Sequence, residues 1–430
     1  MRNPPLTAPL RRRLFRRLAV TYAVNELGDW MGIVALAVLV FDQTDSAFAT
    51  AGLFLGTRFL PALLAPILVV RSEGPPPRFA LPVIYCGEAA AFGGLALLAT
   101  NFSLAGVIVV ATIDGTLALT GRALTRSVVA ALLGPAGELR AGNAILNVAF
   151  TGGAAAGPAI AGLTVAGLGV QTALLLDAAS FYAIAMIILF AGPLPRAEFE
   201  STSFRKRLGA GLSYIRGQLA LRRLLIVQAA AFIFFAAVIP IEVIYAKETL
   251  DAGDSGYGIL LASWGVGMVA GSFAFAALRQ ASLALLVFGS SLTVGAGYLG
   301  LAAAPSLALA CAASGLGGAG NGVQWVAVIS AVQELTVARM QARVLGVLES
   351  IGAAMPGVGY VVGALVATAQ DPRATFLVAG LGVIGVVVLA VPLLGTRWAE
   401  GRRAGEPGAD DEVVVVLRPR EYSVQARKSG

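Results

Sequence analysis

Histidine is absent from this sequence, and charged residues are scarce. The missing histidine removes the commonest metal ligand and the one side chain that ordinarily titrates near neutral pH. Charged residues make up 13% of the chain and hydrophobic residues 57%, with a mean hydropathy of +0.82, whereas soluble domains carry about a quarter charged residues. So few charges cannot cover a surface exposed to water, and we expect lipid to surround most of the chain.

Cysteine is also rare, and catalytic signatures are missing. The two cysteines, Cys86 and Cys311, both lie in apolar runs, so the sequence offers no disulfide framework. We find no nucleophile–base arrangement and no metal-ligand cluster in the sequence. The glycine-rich stretch 315–322 lacks the preceding strand and the following acidic residue of a dinucleotide-binding loop. The sequence therefore predicts a protein that is not an enzyme and that needs no cofactor or metal.

Long apolar runs are the dominant feature of the sequence. A membrane-spanning helix needs roughly 20 mostly apolar residues, because in lipid the backbone must satisfy its own hydrogen bonds. Twelve segments meet this requirement: 18–41, 47–70, 79–99, 103–121, 142–166, 170–191, 224–246, 256–278, 282–302, 305–331, 343–368 and 374–395. We therefore predict an all-α membrane protein with twelve transmembrane helices.

The basic residues indicate which side of the membrane each connection faces. If the N-terminus is cytoplasmic, the segments assigned to the cytoplasm contain 28 of the 31 lysines and arginines, as the positive-inside rule requires. This bias explains the net charge of +7 without nucleic-acid binding. We expect a multi-pass protein of the cell (inner or plasma) membrane with both termini in the cytoplasm.

The longest internal connection divides the spans six and six. It predicts a basic cytoplasmic arm, a first six-helix half, a cytoplasmic linker, a second six-helix half and a charged cytoplasmic tail, at 1–17, 18–191, 192–223, 224–395 and 396–430. Within the linker, 209–221 has the pattern of an amphipathic surface helix. Two related six-helix halves are a common arrangement in transporters.

Short motifs recur in order along the chain: Asn25–Trp30, Arg58–Pro61, Arg126–Asn143, Gly153–Pro158 with Gly162, Asp177–Phe181, Tyr257–Gly258 and Arg343–Gly346. Together they resemble macrolide-efflux and enterobactin-exporter-like members of the major facilitator superfamily. The resemblance implies the major facilitator fold and a monomeric secondary transporter. Two features depart from it. The loop at 65–78 retains only two arginines of the usual glycine-rich motif, and Asp114 stands where proton antiporters carry an arginine in the fourth span.

Charged residues inside the spans are the candidate functional groups, because a charge at the bilayer centre costs roughly 2.5–3.5 kcal/mol on insertion scales. Glu26 and Asp29 share one face of the first span, Arg58 lies in the second and Asp114 in the fourth. With no histidine present, the three carboxylates are the candidates for proton coupling. For the first span the alternative is structural: an ion pair between Arg58 and Asp29 that holds spans 1 and 2 together.

Polar and aromatic side chains indicate a substrate cavity. Asn25 and Trp30 in the first span and Asn321, Gln324 and Trp325 in the tenth are the cavity candidates. For the tenth-span residues, hydrogen bonding between helices is an equal alternative.

Small residues in the fifth span indicate a seam between the two halves, with a kink at the proline. The seam candidates are Gly153, Gly157, Pro158 and Gly162.

These features predict a secondary active transporter. It would export a small amphipathic molecule, such as a drug, an antibiotic or a siderophore-like compound, in exchange for protons by alternating access. The direction of transport rests on the resemblance alone. A facilitator or importer of the same fold is one alternative, and a non-transporting membrane scaffold or receptor, which the altered loop at 65–78 favours, is another.

Overall fold

The computed structural model describes residues 7–72, 76–195, 204–278, 281–337 and 340–394, and within them all regular structure is helical. Short loops join the helices. Several helices begin at a serine whose side chain accepts a hydrogen bond from the first turn, namely Ser46, Ser103 and Ser282. Such caps satisfy amide groups that the start of a helix leaves unpaired.

The first half of the chain forms six spans. The first, third and fourth are single helices: α1 (Arg13–Thr44), α4 (Pro77–Thr100) and α5 (Leu104–Leu133). The second consists of α2 (Ala47–Phe54), a π-helical turn (Leu55–Phe59) and α3 (Leu60–Ser72). The fifth and sixth lie in α6 (Leu139–Leu189), whose 51 residues turn at Gly169 with a backbone φ of +82°. Glycine adopts this φ without steric cost, so Gly169 marks the junction between the two spans.

The second half begins after a connecting helix, α7 (Phe204–Gly217). The seventh span is irregular and consists of α8 (Leu219–Ala237), a 3-10 turn (Ile239–Ile241), α9 (Glu242–Ile244) and a π-helical turn (Tyr245–Thr249). The remaining five spans are single helices: α10 (Gly253–Ala277), α11 (Leu283–Ala303), α12 (Leu307–Glu334), α13 (Gln341–Ala369) and α14 (Pro372–Leu394).

Ten helical stretches of the described chain are long and apolar enough to cross a membrane. One of them, Ala141–Leu189, contains two spans because of the turn at Gly169. The glycine-rich α12 is not among the ten and supplies the one remaining span. Its 28 residues reach roughly 42 Å at 1.5 Å per residue. The predicted twelve-helix architecture is therefore confirmed.

Contacts between helices gather the spans into two bundles. In the first half, α1 and α4 both pack against α6, and in the second half α12 packs against α10 and α11. The bundles meet where α6 packs on α10 and where α2 packs on α13. The two bundles are therefore joined chiefly through these two pairs of helices.

Glycines bring α6 and α10 into backbone contact. A Cβ atom added to Gly162 would lie 2.8 Å from the carbonyl oxygen of Asp254, and one added to Gly265 would lie 2.5 Å from that of Ala154. Only glycine permits such an approach without displacing the partner helix. Pro158 lies on the same face, since its carbonyl oxygen is next to Gly258.

The structure corrects the assignment of two predicted seam residues. A Cβ atom added to Gly157 would meet Trp30 at 2.6 Å, and one added to Gly153 would meet Glu26 at 3.1 Å, both in α1. These two glycines are four residues apart and therefore share a helix face, which packs inside the first half. Pro158 and Gly162 lie on the neighbouring face and meet the second half.

Segment ends also differ from the predicted ones. The fourth span continues to Leu133 rather than ending at 121, because buried apolar residues recur along α5 beyond Arg122. The linker helix begins at Phe204 and ends at Gly217, earlier than the predicted 209–221. The predicted tail at 396–430, residues 1–6 of the arm and residues 196–203 of the linker lie outside the described residues.

Candidate functional site

A cavity of about 450 Å³ lies between the two halves, and both halves line it. The first half contributes Trp30, Ile33, Phe54, Arg58, Phe150 and Ala154. The second half contributes most of the lining, from the seventh, eighth, ninth, tenth and eleventh spans. A volume in this range suits a small organic molecule.

Aromatic rings form one wall of this cavity. Trp264 and Tyr298 stack with their ring centroids 5.5 Å apart, and Phe235 approaches Trp264 edge-on at 5.8 Å. The Tyr298 hydroxyl donates a hydrogen bond to the carbonyl oxygen of Phe235 at 3.1 Å, which fixes the ring. Interlocked rings of this kind present a rigid apolar surface to a ligand.

Two residues of opposite charge line the same cavity from opposite halves. Arg58 lies in the π-helical turn of the second span, with its guanidinium carbon 5.6 Å from the centroid of the Trp30 ring. Glu242 follows the 3-10 turn of the seventh span and is half-buried. The glutamate emerges at the lining because Pro240 and the 3-10 turn interrupt the regular helix just before it.

A buried ion cluster lies beside the cavity in the first half. Arg122 of α5 contacts Glu26 at 3.1 Å through Nε and Asp29 at 2.5 Å through Nη2. Asn25 donates a hydrogen bond of 3.2 Å to Asp29. Glu26 is fully buried, so its charge depends on the guanidinium for compensation. One guanidinium is thus shared by two carboxyl groups that lie three residues apart on α1.

A smaller cavity of about 80 Å³ lies beside this cluster. Asp29, Asp114 and Arg122 line it together with Arg58, which also lines the larger cavity. Asp114 has one buried oxygen without a hydrogen-bond partner, and the hydroxyl of Thr57 is in the same state. The protein itself therefore does not satisfy all the polar groups of this space.

The ion pair predicted between Arg58 and Asp29 is not formed in the described structure. Asp29 pairs with Arg122, while Arg58 lies over Trp30. The prediction was wrong because the fourth span was ended at residue 121, which placed Arg122 in a loop. The continued apolar pattern of α5 and the spacing of eight residues from Asp114 were the signals that could have placed it inside.

The structure separates the predicted cavity residues. Trp30, Asn321 and Trp325 line the central cavity. Gln324 lines an adjacent space of about 30 Å³ and donates a hydrogen bond of 2.7 Å to Ser291. Asn25 is buried against Asp29 and lines neither cavity. Glu242 is a charge near the end of the predicted seventh span, where the sequence allows an interfacial position, and the structure places it at the cavity. The rings of Trp264 and Tyr298 lie in apolar runs, and the sequence gives no signal that they line it.

Two further carboxyl groups are buried away from both cavities. Glu88 of α4 lies near Gly121, and neither of its oxygens has a hydrogen-bond partner among the described residues. Asp177 of α6 lies against Gly28 and accepts a hydrogen bond of 3.3 Å from Ser180. Neither residue reaches the lining of the cavity between the halves.

An ionic contact joins the halves at the end of the molecule where α1 ends. The Lys247 ammonium contacts the carboxylate of Asp42 in α1 and that of Asp254 in α10, the latter at 2.6 Å. This contact lies next to the close approach of Gly162 to α10. Both features hold the two halves together at this end.

Solved structures of several transporters share this fold. The nucleoside transporter NupG superposes with a TM-score of 0.70 at 12% identity, covering 89% of this chain and 99% of that one. A bacterial homologue of the human lysosomal transporter Spinster gives 0.67 at 12% identity, over 92% and 98%. A peptide-bound transporter of the POT family gives 0.69 at 14% identity, over 89% and 96%. At these identities the likeness is one of fold.

Sequence comparison identifies the family. No curated protein sequence gives a significant match. The family model described as transmembrane secretion effector, a branch of the major facilitator superfamily, matches residues 5–407. This match covers most of the chain and agrees with the twelve-span fold. The chain therefore belongs to the transmembrane secretion effector family of the major facilitator superfamily and is a multi-pass membrane transporter.

Proposed function

We propose that this protein is a proton-driven exporter of small amphipathic molecules that works by alternating access between its two halves. The observation that carries this proposal is the position of the Arg122 cluster, with Glu26 and Asp29, beside a cavity shared by both halves. The family description as a secretion effector supports the outward direction.

The cluster has the composition that proton coupling requires. A carboxyl group binds a proton more readily in a closed, dry cavity than when it is open to water. Opening the cavity alternately to the two sides would therefore load and release a proton. Asp114 is the first proposed proton site, because one of its oxygens is buried without a partner. Asp29 and Glu26 are the next, since each can exchange the guanidinium of Arg122 for a proton.

The proposal includes an orientation and a division into halves. We place both termini and the linker at 192–223 in the cytoplasm, because the basic residues concentrate in those segments. The end closed by Lys247 then faces outward. Pro158 and Gly162 form the proposed seam along which the halves rock, since this face of α6 contacts α10 through its backbone.

Purified protein in liposomes tests the function with three amphipathic probes: ethidium, ciprofloxacin and erythromycin. We expect at least one probe to accumulate in a lumen made acidic, and we expect accumulation to stop when nigericin removes the gradient. Protein-free liposomes measure leakage and passive trapping. If no probe moves under any gradient, the proposal is rejected. Flux that is equal with and without the gradient would instead identify a facilitator.

A further inference from the structure

The central cavity contains two opposite charges that the protein itself does not pair. Arg58 of the second span and Glu242 of the seventh both line the cavity between the halves. Among the described residues, neither forms an ion pair. The guanidinium of Arg58 lies against the ring of Trp30. Arg122, by contrast, forms its ion pairs with Glu26 and Asp29 inside the first half.

Both charges lie at interruptions of regular helix. Arg58 lies in a π-helical turn, and Glu242 follows a 3-10 turn that contains Pro240. Irregular turns within membrane helices concentrate at functional sites, where backbone strain or a missing hydrogen bond is tolerated for the sake of a side-chain position. The irregularity brings each charge to the cavity lining.

The surroundings of Glu242 suit a protonated amine. Tyr257 and Tyr298 line the same cavity as its carboxyl group. Tyr298 stacks on Trp264, whose ring also belongs to the lining. A cationic group held by a carboxylate among aromatic faces gains both a charge-assisted hydrogen bond and cation–π attraction.

The surroundings of Arg58 suit an acidic group. A guanidinium presents parallel N–H donors that match a carboxylate. The guanidinium of Arg58 lies over the ring of Trp30. Asp114 shares the smaller cavity with Arg58 but is not within ion-pair distance of it. A ligand with only one charge would leave the opposite residue of the cavity without a partner and would lose that charge-assisted contact.

We propose that the cavity selects small amphoteric aromatic molecules, with the amine at Glu242, the acidic group at Arg58 and the aromatic body against Trp264 and Tyr298. This inference rests on the proposed function only in taking the central cavity as the transport site. It assigns to Arg58 and Glu242 the role of specificity residues that touch the substrate from opposite halves.

Ciprofloxacin and two of its derivatives test this selection. Ciprofloxacin carries an amine and a carboxylate, its methyl ester keeps the amine, and its N-acetyl derivative keeps the carboxylate. Binding of each compound to the purified full chain is measured by quenching of tryptophan fluorescence. We expect ciprofloxacin to bind about tenfold more tightly than either derivative, since each lost charge-assisted contact weakens binding by roughly that factor.

Two variants that replace a charged side chain with a neutral amide show which residue binds which charged group. Glu242→Gln should weaken ciprofloxacin and the ester but not the N-acetyl compound. Arg58→Gln should weaken ciprofloxacin and the N-acetyl compound but not the ester. Equal affinities of wild-type protein for the three compounds, or no binding of ciprofloxacin, would overturn the inference even if a variant fails to fold. Binding needs no proton gradient, so the two proposals can fail separately. If the protein binds the three compounds selectively but no gradient drives their transport, only the proposed proton coupling is rejected.

If a gradient drives transport of all three compounds at one rate, only the proposed charge selection is rejected.

Discussion

Arg122 is the cation on which the buried charges of the first half depend. It contacts two carboxylates, Glu26 and Asp29, and the glutamate is fully buried. Removing one member of a buried ion pair leaves the other charge without compensation, which commonly costs about 3–5 kcal/mol. Arg58, in contrast, lies over an aromatic ring and is exposed. The two arginines therefore differ in their expected effect on stability.

We predict that Arg122→Ala lowers folded yield and thermal stability far more than Arg58→Ala does. The double variant Arg122→Ala with Asp29→Ala should recover part of the loss, because it removes one of the two stranded carboxylates. Size-exclusion yield and the midpoint of tryptophan-monitored unfolding in detergent measure both effects. Strict additivity of the two single effects would argue against the pairing.

Asp114 is the residue at which proton coupling is most directly tested. Asp114→Asn imitates the protonated state, so gradient-driven accumulation of a transported probe should be lost while exchange of the probe down its own gradient persists. Glu88→Gln is the matched control, since Glu88 is a buried carboxyl of a neighbouring span that lines neither cavity. If Asp114→Asn accumulates the probe as well as the wild type does, Asp114 is not the coupling site. The same conclusion follows if only Glu88→Gln loses accumulation.

At the scale of the element, α6 presents two different faces. One face carries Gly153 and Gly157 against α1 inside the first half, and the adjacent face carries Pro158 and Gly162 against the second half. Two adjacent faces of one helix can in this way form a fixed interface inside one half and a movable interface between the halves. Substitutions on the two faces should therefore fail for different reasons.

We predict that Gly157→Val lowers stability, by about 1–3 kcal/mol, because its side chain would enter the packed contact with Trp30. Gly162→Val should spare folding of the halves but block the close approach to Asp254, so transport is lost at near-normal yield. Gly152→Val is the control, because a Cβ atom there meets nothing within 4 Å. Normal stability of Gly157→Val would contradict this assignment of faces.

For the whole molecule, the contact of Lys247 with Asp42 and Asp254 holds one end of the two halves together. Partly exposed ion pairs contribute only about 0.2–1 kcal/mol each. A contact of that strength can close one end of a transporter without preventing it from opening. It is thus suited to bias an equilibrium between two states.

We predict that Lys247→Met shifts the molecule a few-fold towards a state open at this end, given the energy of such pairs. Spin labels at Gln43 and Asp251, with the native cysteines replaced by serine, would report longer distances. Arg373→Met removes a cation whose hydrogen bond, to the carbonyl oxygen of Ala302, stays within the second half. Arg373→Met should leave the distances unchanged. An equal response of both variants would contradict the proposed role of the Lys247 contact in holding this end closed.

The orientation of the whole chain is a separate prediction. Reporter fusions after residues 102 and 251 should give external signals, and fusions after 207 and 430 should give internal ones, because the basic residues concentrate on one side. An external signal at 207 or 430 would reverse the proposed topology and, with it, the side on which Lys247 lies.

The sequence by itself determined the membrane environment and the twelve spans, because a helix buried in lipid requires a long apolar run, which is visible in the sequence. The order of short motifs along the chain gave the family resemblance. It also identified Glu26, Asp29 and Asp114 as unusual, since a charge within such a run is conspicuous. Only the tertiary structure decided which charges meet. Arg122 pairs with Asp29, Arg58 and Glu242 line one cavity from opposite halves, and Gly157 and Gly162 face different helices. These relations depend on how helices distant in sequence are rotated and packed against one another, which local pattern does not specify.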